Sequence, residues 1–580
     1  MNDPASATSG SRDARRDTAW RAAIIALGAI VLLGLVAASM ATRLNGDVQY
    51  VLGGLSVAGD IGWVDTFVHR PLPYRLFMSI LNVGAGLLGL HTTDYVAYES
   101  VVRAGGIALA LVSGALLWRA LVPRLGRAAA AVIGGATSLA LILAPAHDVL
   151  QAEWAATSLA VIALAVALLP RRDATAGVLA GFFLVVVAGM KISTVFLVPA
   201  VLVVLAMLDA RRIRPVIVGT VGWGIAYAAV LMLLPLERQW TFDSAALNAL
   251  GSDRNLHRAL VAFSEKAMVS PVILFVPCAL MMALGAMGGT LRRRLLVGAG
   301  VVGTALLLIG TSLAQGTWQV YHLAPVPVAA TGFVAGVGVW WWMKYGQPPW
   351  PIVVGIPVAA ALGIAFLSLD TPTRIRLAGE ARVIGLVVAV LACAWAVALV
   401  RLAKAARSAS EEPPCAGQHA GAVALVIVAF LAFLPAQAPN AAWSVARDRT
   451  NASWNAQSDT YRQALADLAA DIGHGGPVLY LAFGNVPYHM GIPTTCRYPS
   501  PLWVQRGTYY ESLRELWSYK DNLACFDGRL ANDVVIETGW ATPGKHTDDL
   551  VRGLRDFDCT DPPSRAGVEA CPSRLRGDAP

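Results

Sequence analysis

Apolar runs long enough to cross a bilayer recur through the first three quarters of this sequence, and little else can accommodate them. A membrane-spanning helix needs about 20 consecutive apolar residues. Runs of that kind lie near 21–42, 100–118, 128–144, 154–170, 174–190, 192–208, 215–235, 270–290, 295–313, 323–343, 350–368, 382–400 and 420–437. Only 14% of the residues are charged, against about 25% in an ordinary soluble domain, and mean hydropathy is +0.58. A deficit this large over 580 residues cannot come from one buried core. The expected fold is an all-α polytopic membrane protein of about 13 transmembrane helices, with a cytoplasmic tail over 1–20 and a membrane domain over 21–437.

The basic residues indicate orientation. Arg12, Arg15, Arg16 and Arg21 precede the first run, and clusters follow the second (Arg119, Arg124, Arg127), fourth (Arg171, Arg172), sixth (Arg211, Arg212, Arg214) and eighth (Arg292 to Arg294). Lys344 follows the tenth run, and Arg401, Lys404 and Arg407 follow the twelfth. Every second connection is therefore basic, which places those connections and the N-terminus in the cytoplasm. Arg374, Arg376 and Arg382 depart from this alternation. The net charge of +8 is spread over these short clusters rather than along one face, so no nucleic-acid partner is expected. The same alternation makes 43–100 and 236–269 long outer loops. It also makes 72–90 an interfacial or re-entrant helix, since a crossing there would invert every later connection.

After about residue 438 the long apolar runs stop and charged residues become frequent. Segments 455–473 and 507–522 read as helices, and 477–483 and 533–537 as strands. Residues 438–580 are thus expected to form a small α/β extracytoplasmic domain. Four of the seven cysteines fall there: Cys496, Cys525, Cys559 and Cys571. An even number outside the cytoplasm suits two disulfides. Three pairings are possible. Proximity in sequence favours Cys496 with Cys525 and Cys559 with Cys571, and a zinc site is the alternative.

Ionisable residues gather at the predicted outer ends of several spans. The first outer loop carries Asp47, Tyr50, His69 and Arg70, and Arg103 lies near the start of the next span. The following outer connections carry Asp148 and Glu153, then Lys191, and later Tyr321 and His322. Singly, each reads as a solvated loop residue, an interfacial aromatic or a snorkelling cation. Together they would supply one outward cavity with a carboxylate base and cations for a phosphate. A transporter or lipid flippase, or a non-catalytic scaffold or receptor, would also fit a polytopic chain. The sequence has no evident repeat between halves, and the ionisable residues lie at span ends rather than mid-span, which favours neither a transporter nor a flippase.

The arrangement resembles the GT-C superfamily of membrane glycosyltransferases over roughly the first 340 residues. The matching features are Asp47 and Tyr50 after the first span, the stretch Arg70-Pro71-Leu72-Pro73-Tyr74-Arg75, and Arg103. They continue with an acid at Asp148 or Glu153, then Gly189-Met190-Lys191, and Tyr321-His322 before an outward-starting span. The resemblance implies transfer of a sugar from a polyprenyl-phosphate donor to a glycan, lipid or protein acceptor outside the cytoplasm, as in cell-envelope glycan assembly. In that reading Asp47 is the general base, and Lys191, His322 and Arg103 bind the donor phosphate. Asp148 or Glu153 is the second acid, and no choice between them follows from the sequence. No organic cofactor is implied. Some members need a divalent metal near the first-loop acid, but the paired acids that would favour one are missing beside Asp47.

Overall fold

The computed structural model describes the chain apart from residues 1–25, 27–28, 31–32, 35, 252–254, 317–318, 410–424, 426, 474–475, 541–546 and 576–580. The tail 1–20 and parts of the runs 21–42 and 420–437 lie outside the described residues. Among the described residues, seven helices are long and apolar enough to cross a membrane. The pair Leu256–Val269 and Pro271–Ala286, bent by 103°, would make an eighth, and Arg127–Leu143 and Ala152–Leu168 are shorter apolar helices. The protein is a multi-pass membrane protein.

One of the seven, Ile192–Leu233, is 42 residues long. As a straight rod it would reach about 60 Å, twice the hydrocarbon thickness. It is divided at Asp209, whose φ of −160° and ψ of 86° leave the helical region. Packing then fixes the path of the chain. A Cβ on Gly177 would meet the Pro215 carbonyl, one on Gly181 would meet the Gly219 backbone, and Gly189 faces Tyr227. The helices Asp173–Met190 and Ile213–Leu233 therefore run parallel, and the helix Leu197–Asp209 between them must run back. The missing side chains let the two parallel backbones touch, as small residues do between helices in lipid. By the same reasoning Tyr95–Leu125 and Arg127–Leu143 are antiparallel, with Ser138 Oγ donating to Ala110 O at 3.0 Å and Gly114 against Gly134.

The expected long loops are largely helical. Region 43–100 contains Gly46–Val57 and Leu72–Gly86, and the next helix begins at Tyr95 rather than near 100. Region 236–269, read from sequence as a polar loop, forms the helices Pro235–Gly251 and Leu256–Val269. The first of these buries Glu237, Trp240, Asp243 and Leu247, so the polarity of the region does not mean lack of structure. Arg75 and Glu237, both buried, form an ion pair that ties the two regions together.

The C-terminal region holds β1 (Ala442–Ser444), β2 (Arg447–Thr450), β3 (Val478–Leu481), β4 (Asp533–Glu537), β5 (Ser564–Arg565) and β6 (Val568–Pro572). β1 and β2 form a separate antiparallel hairpin, and the other four form one sheet in the order β3-β4-β6-β5. β3 and β4 are parallel, so the chain between them crosses over, as parallel pairing requires. All four residues of β3 are buried, which explains its uninterrupted apolar sequence. The expected helix 507–522 is instead Leu502–Gly507, a 3₁₀ turn Glu511–Glu515 and Trp517–Leu523. The disulfides are Cys496–Cys525 and Cys559–Cys571.

This domain's core is shared with regions 43–100 and 236–269. Phe67, Trp240 and Leu247 pack among Leu479, Tyr498, Trp503 and Val534, and Val57 packs with Leu465, Val478 and Val535. A Cβ on Gly53 would lie 2.6 Å from the Tyr488 backbone, so a glycine is needed where the first loop helix meets the domain. His489, 4% exposed, lies among the rings of Tyr95, Tyr461 and Tyr488. Burial, aided by the Arg462 charge, pushes its imidazole from 6.5 down to about 3. As pH falls below 6.5 the unfolded chain takes up this proton first, so stability present above pH 6.5 is lost toward pH 3. The expected loss is about 2 kcal/mol between pH 7 and pH 5. His489→Leu should flatten that part of the melting-temperature profile, and an unchanged slope would refute the assignment.

Candidate active site

The site starts at a helix cap. Asn45 is the N-cap of the helix Gly46–Val57, its Oδ1 accepting from the Asp47 amide at 2.9 Å. Asp47 falls in the first helical turn, where the helix dipole favours an acid. Asn45 Nδ2 donates to Asp148 Oδ1 at 2.9 Å. The cap therefore fixes the direction of Asp47 and joins the first outer connection to the second.

Asp47 Oδ2 accepts a hydrogen bond from the Tyr321 hydroxyl at 3.1 Å and lies 3.4 Å from an Arg70 guanidinium nitrogen. The Tyr321 ring carries Lys191 above it, with Nζ 5.1 Å from the centroid. Lys191 sits where the helix Asp173–Met190 breaks, in extended backbone, and a 3₁₀ turn, Ile192–Phe196, follows. That break lets the side chain leave the helix end. Its Nζ donates to Glu153 Oε1 at 2.8 Å and lies 3.3 Å from His322 Nε2. Ser193 Oγ also donates to Glu153 Oε1, at 3.1 Å, and His322 Nε2 lies 3.5 Å from the same oxygen. Glu153 Oε2 is buried without a hydrogen-bond partner. Asp47, Arg70, Glu153, Lys191, Tyr321 and His322 thus form one cluster drawn from four separate connections. Glu153 and His322 are each 1% exposed at the side chain, and Asp47 is 27% exposed.

The other candidates lie around or apart from this cluster. Asp148 is 2.9 Å from His147 Nε2 and bonds Asn45, so it supports Asp47 rather than Lys191. Tyr50 is buried one turn beyond Asp47, with its ring against Phe483. His69 lies edge-on to Trp240 and Trp503. Burial first, then the charges of Arg70, Arg506 and Lys191, hold its imidazole well below the usual range. Arg103 is not in the cluster. It is buried, the nearest opposing charge is Glu99, and none of its guanidinium nitrogens has a hydrogen-bond partner. Glu99 in turn holds the Leu44 amide, Gln49 and the Tyr488 hydroxyl. The helix turn that carries Arg103 faces the C-terminal domain, so a helix position alone could not place it.

Three loop residues near the cluster have positive φ without being glycine: His69 (52°), Ala146 (47°) and Leu150 (70°). Such backbones are uncommon and concentrate at functional sites. Each adjoins a candidate, namely Arg70, His147 with Asp148, and Gln151 with Glu153.

Asp47 and Tyr321 also line a cavity of about 320 Å³. Sequence reading missed several of its wall residues, among them Asn45, Lys266 and Trp443. Lys266, a cation just ahead of the apolar run 270–290, was the available signal. Arg374, unexplained by the charge alternation, has a structural task here. It is buried and donates to the carbonyls of Val445 (3.2 Å) and Arg447 (2.8 Å) in the β1–β2 hairpin, as well as to Leu367 and Leu369. It pins that hairpin to the membrane domain at the cavity wall. The residues around Asp47 do not fit a divalent ion. Its direct partners are a guanidinium and a phenol, and among the described residues no three His, Cys, Asp or Glu side chains gather for a metal.

No family model matches this sequence, and no curated protein matches it. Solved structures do. The crystal structure of ArnT from Cupriavidus metallidurans in the apo state is 15% identical, with a TM-score of 0.50 over 97% of this chain and 100% of that one. ArnT from the same organism bound to undecaprenyl phosphate is 16% identical, with a TM-score of 0.51 over 96% and 98%. The arabinosyltransferase EmbB from Mycobacterium smegmatis is 16% identical, covering 77% of this chain and 42% of that one at a TM-score of 0.40. The alignment with ArnT covers nearly the whole of both chains, membrane helices and C-terminal domain alike, and this chain has the ArnT fold.

Proposed function

We propose that this protein is a glycosyltransferase that moves a sugar from a polyprenyl-phosphate donor to a hydroxyl acceptor on the outer face of the membrane. The observation that carries this reading is the single cluster in which Asp47 stands beside Arg70 and Tyr321, with Lys191 and His322 behind them. The ArnT structure with undecaprenyl phosphate supports a lipid-phosphate donor by analogy of fold, an association rather than a mechanism.

In the proposed step the acceptor oxygen attacks the anomeric carbon as Asp47 takes its proton. The bond from that carbon to the phosphate oxygen breaks, and its electron pair leaves with polyprenyl phosphate. Displacement from the opposite face inverts the anomeric centre. Tyr321 and Arg70 both contact Asp47 Oδ2, which leaves Oδ1 for the acceptor. Arg70, Lys191 and His322 are the cations and donor that receive the developing phosphate charge. Fixed groups of this kind are worth several kcal/mol in a water-poor site. Glu153 holds Lys191 and His322 in position before the donor arrives. The basic clusters at alternate connections support a site outside the cytoplasm with the N-terminus inside.

The test is sugar transfer by the purified full chain in nanodiscs, with polyprenyl-phosphate glucose, mannose and arabinose as donors and hydroxyl-rich acceptors. The expected result is release of polyprenyl phosphate coupled to an inverted glycoside. Lack of release from every donor and acceptor pair would overturn the proposal.

A further inference from the structure

We infer that the cavity beside Asp47 is the acceptor subsite and that it takes the neutral, hydroxyl-rich end of a saccharide rather than a phosphate group; this rests on the glycosyltransferase reading above. Asp47 lines the cavity, and Lys191 and His322 do not. A molecule seated there would reach the Asp47 carboxylate without touching Lys191 or His322.

The charge of the lining identifies the ligand class. Asp47, Asp148 and Glu265 supply three carboxylates, and Lys266, Arg447 and Arg449 supply three cations, so the formal charges cancel. Two of the cations are already engaged: Arg447 donates to Gln319 at 3.3 Å, and Arg449 lies over the Trp454 ring at 5.1 Å. Lys266, 2% exposed, feels the Asp148 charge. A phosphate would meet three carboxylates here and no concentrated positive charge, and like-charge contacts at short range are costly. Sugar hydroxyls, which both donate and accept, match a wall of carboxylates, amides and cations.

An aromatic wall completes the site. Trp443 lines the cavity, half-buried, with its indole NH bonded to Asn451 at 3.1 Å. His147 stacks on it with centroids 3.2 Å apart and ring planes 7° apart. The indole is therefore fixed before any ligand binds, and an apolar ring face suits the C–H face of a sugar. Arg374 holds the hairpin that carries it. A volume of about 320 Å³ is at the lower end of small-molecule sites, enough for a short saccharide end and not for a folded partner.

Binding and turnover separate this inference from the proposal beneath it. Saturation-transfer NMR would be run on the full chain in nanodiscs, with neutral disaccharides of glucose, mannose, galactose and arabinose and with the matching sugar 1-phosphates. At least one neutral disaccharide should bind, and at least tenfold more weakly in Trp443→Ala and in Arg447→Gln. Arg447 is exposed, so its replacement tests the site even if the tryptophan variant does not fold. Preferential binding of the phosphates, binding insensitive to both variants, or no binding by any disaccharide would overturn the inference. Transfer whose acceptor KM is unmoved by both variants would also overturn it while leaving the glycosyltransferase reading intact. Saccharide binding lost in both variants, from a protein that releases no polyprenyl phosphate, would support the ligand class and sink that reading.

Discussion

Asp47→Asn should lower sugar transfer by about a hundredfold or more, the usual contribution of a positioned general base. The substitution keeps the shape of the side chain and an oxygen for the Tyr321 hydroxyl, so the loss can be assigned to the missing base. Folding should hold. The Asp47–Arg70 pair is partly exposed, and such pairs contribute about 1 kcal/mol or less. The informative comparison is Asp148→Asn. Asp148 reaches the cluster only through Asn45 and stands with His147, so its loss should act through position and reduce kcat by about tenfold or less. Equal activity of Asp47→Asn and wild type, at equal thermal stability, would remove Asp47 from the mechanism. A larger loss in Asp148→Asn would exchange the two roles.

Glu153→Gln should be the most destabilising single change at the site. Glu153 Oε1 receives Lys191, Ser193 and His322, and the carboxylate is essentially inaccessible. Removing one partner of a buried pair leaves an uncompensated charge and costs about 3–5 kcal/mol. Replacing both partners with apolar residues of similar size need not cost stability, because the desolvation penalty of both ions disappears. The double variant Glu153→Leu with Lys191→Met should therefore melt within about 1 kcal/mol of wild type, yet transfer no sugar. That outcome would separate holding the fold from holding the donor phosphate. A Glu153→Gln protein that melts with wild type would show that the pair is not sustained by burial. A double variant retaining transfer would take Lys191 out of donor binding.

These expectations differ in what they draw on. The membrane class came from apolar runs, which are local and depend only on the length a helix needs to cross a bilayer. The disulfides Cys496–Cys525 and Cys559–Cys571 followed from closeness along the chain, and β3 from an unbroken apolar stretch. Asp47, Lys191 and His322 were legible as ionisable residues at span ends, where such groups are costly unless used. Their meeting was not legible. It depends on the rotation and order of helices, set by contacts such as Gly177 against Pro215 and Gly114 against Gly134 between segments far apart in sequence.

The same limit explains the differences. Asp148 and Glu153 are five residues apart and equally acidic, and the sequence could not rank them. The turn at Leu150, with its positive φ, sends Glu153 to Lys191 and leaves Asp148 with Asn45. Arg103 carries the right charge, but it lies one turn after Glu99 on the same helix, beside Tyr488 of the C-terminal domain. Trp443 and Lys266 drew no notice in the sequence; the hairpin and the bent helix bring them to one cavity with Asp47. Sequence by itself determined that this chain lives in a membrane and which charges stand at its helix ends, because hydropathy is local. Only tertiary structure decided which of those charges share a site, because that depends on packing between segments that hydropathy does not relate.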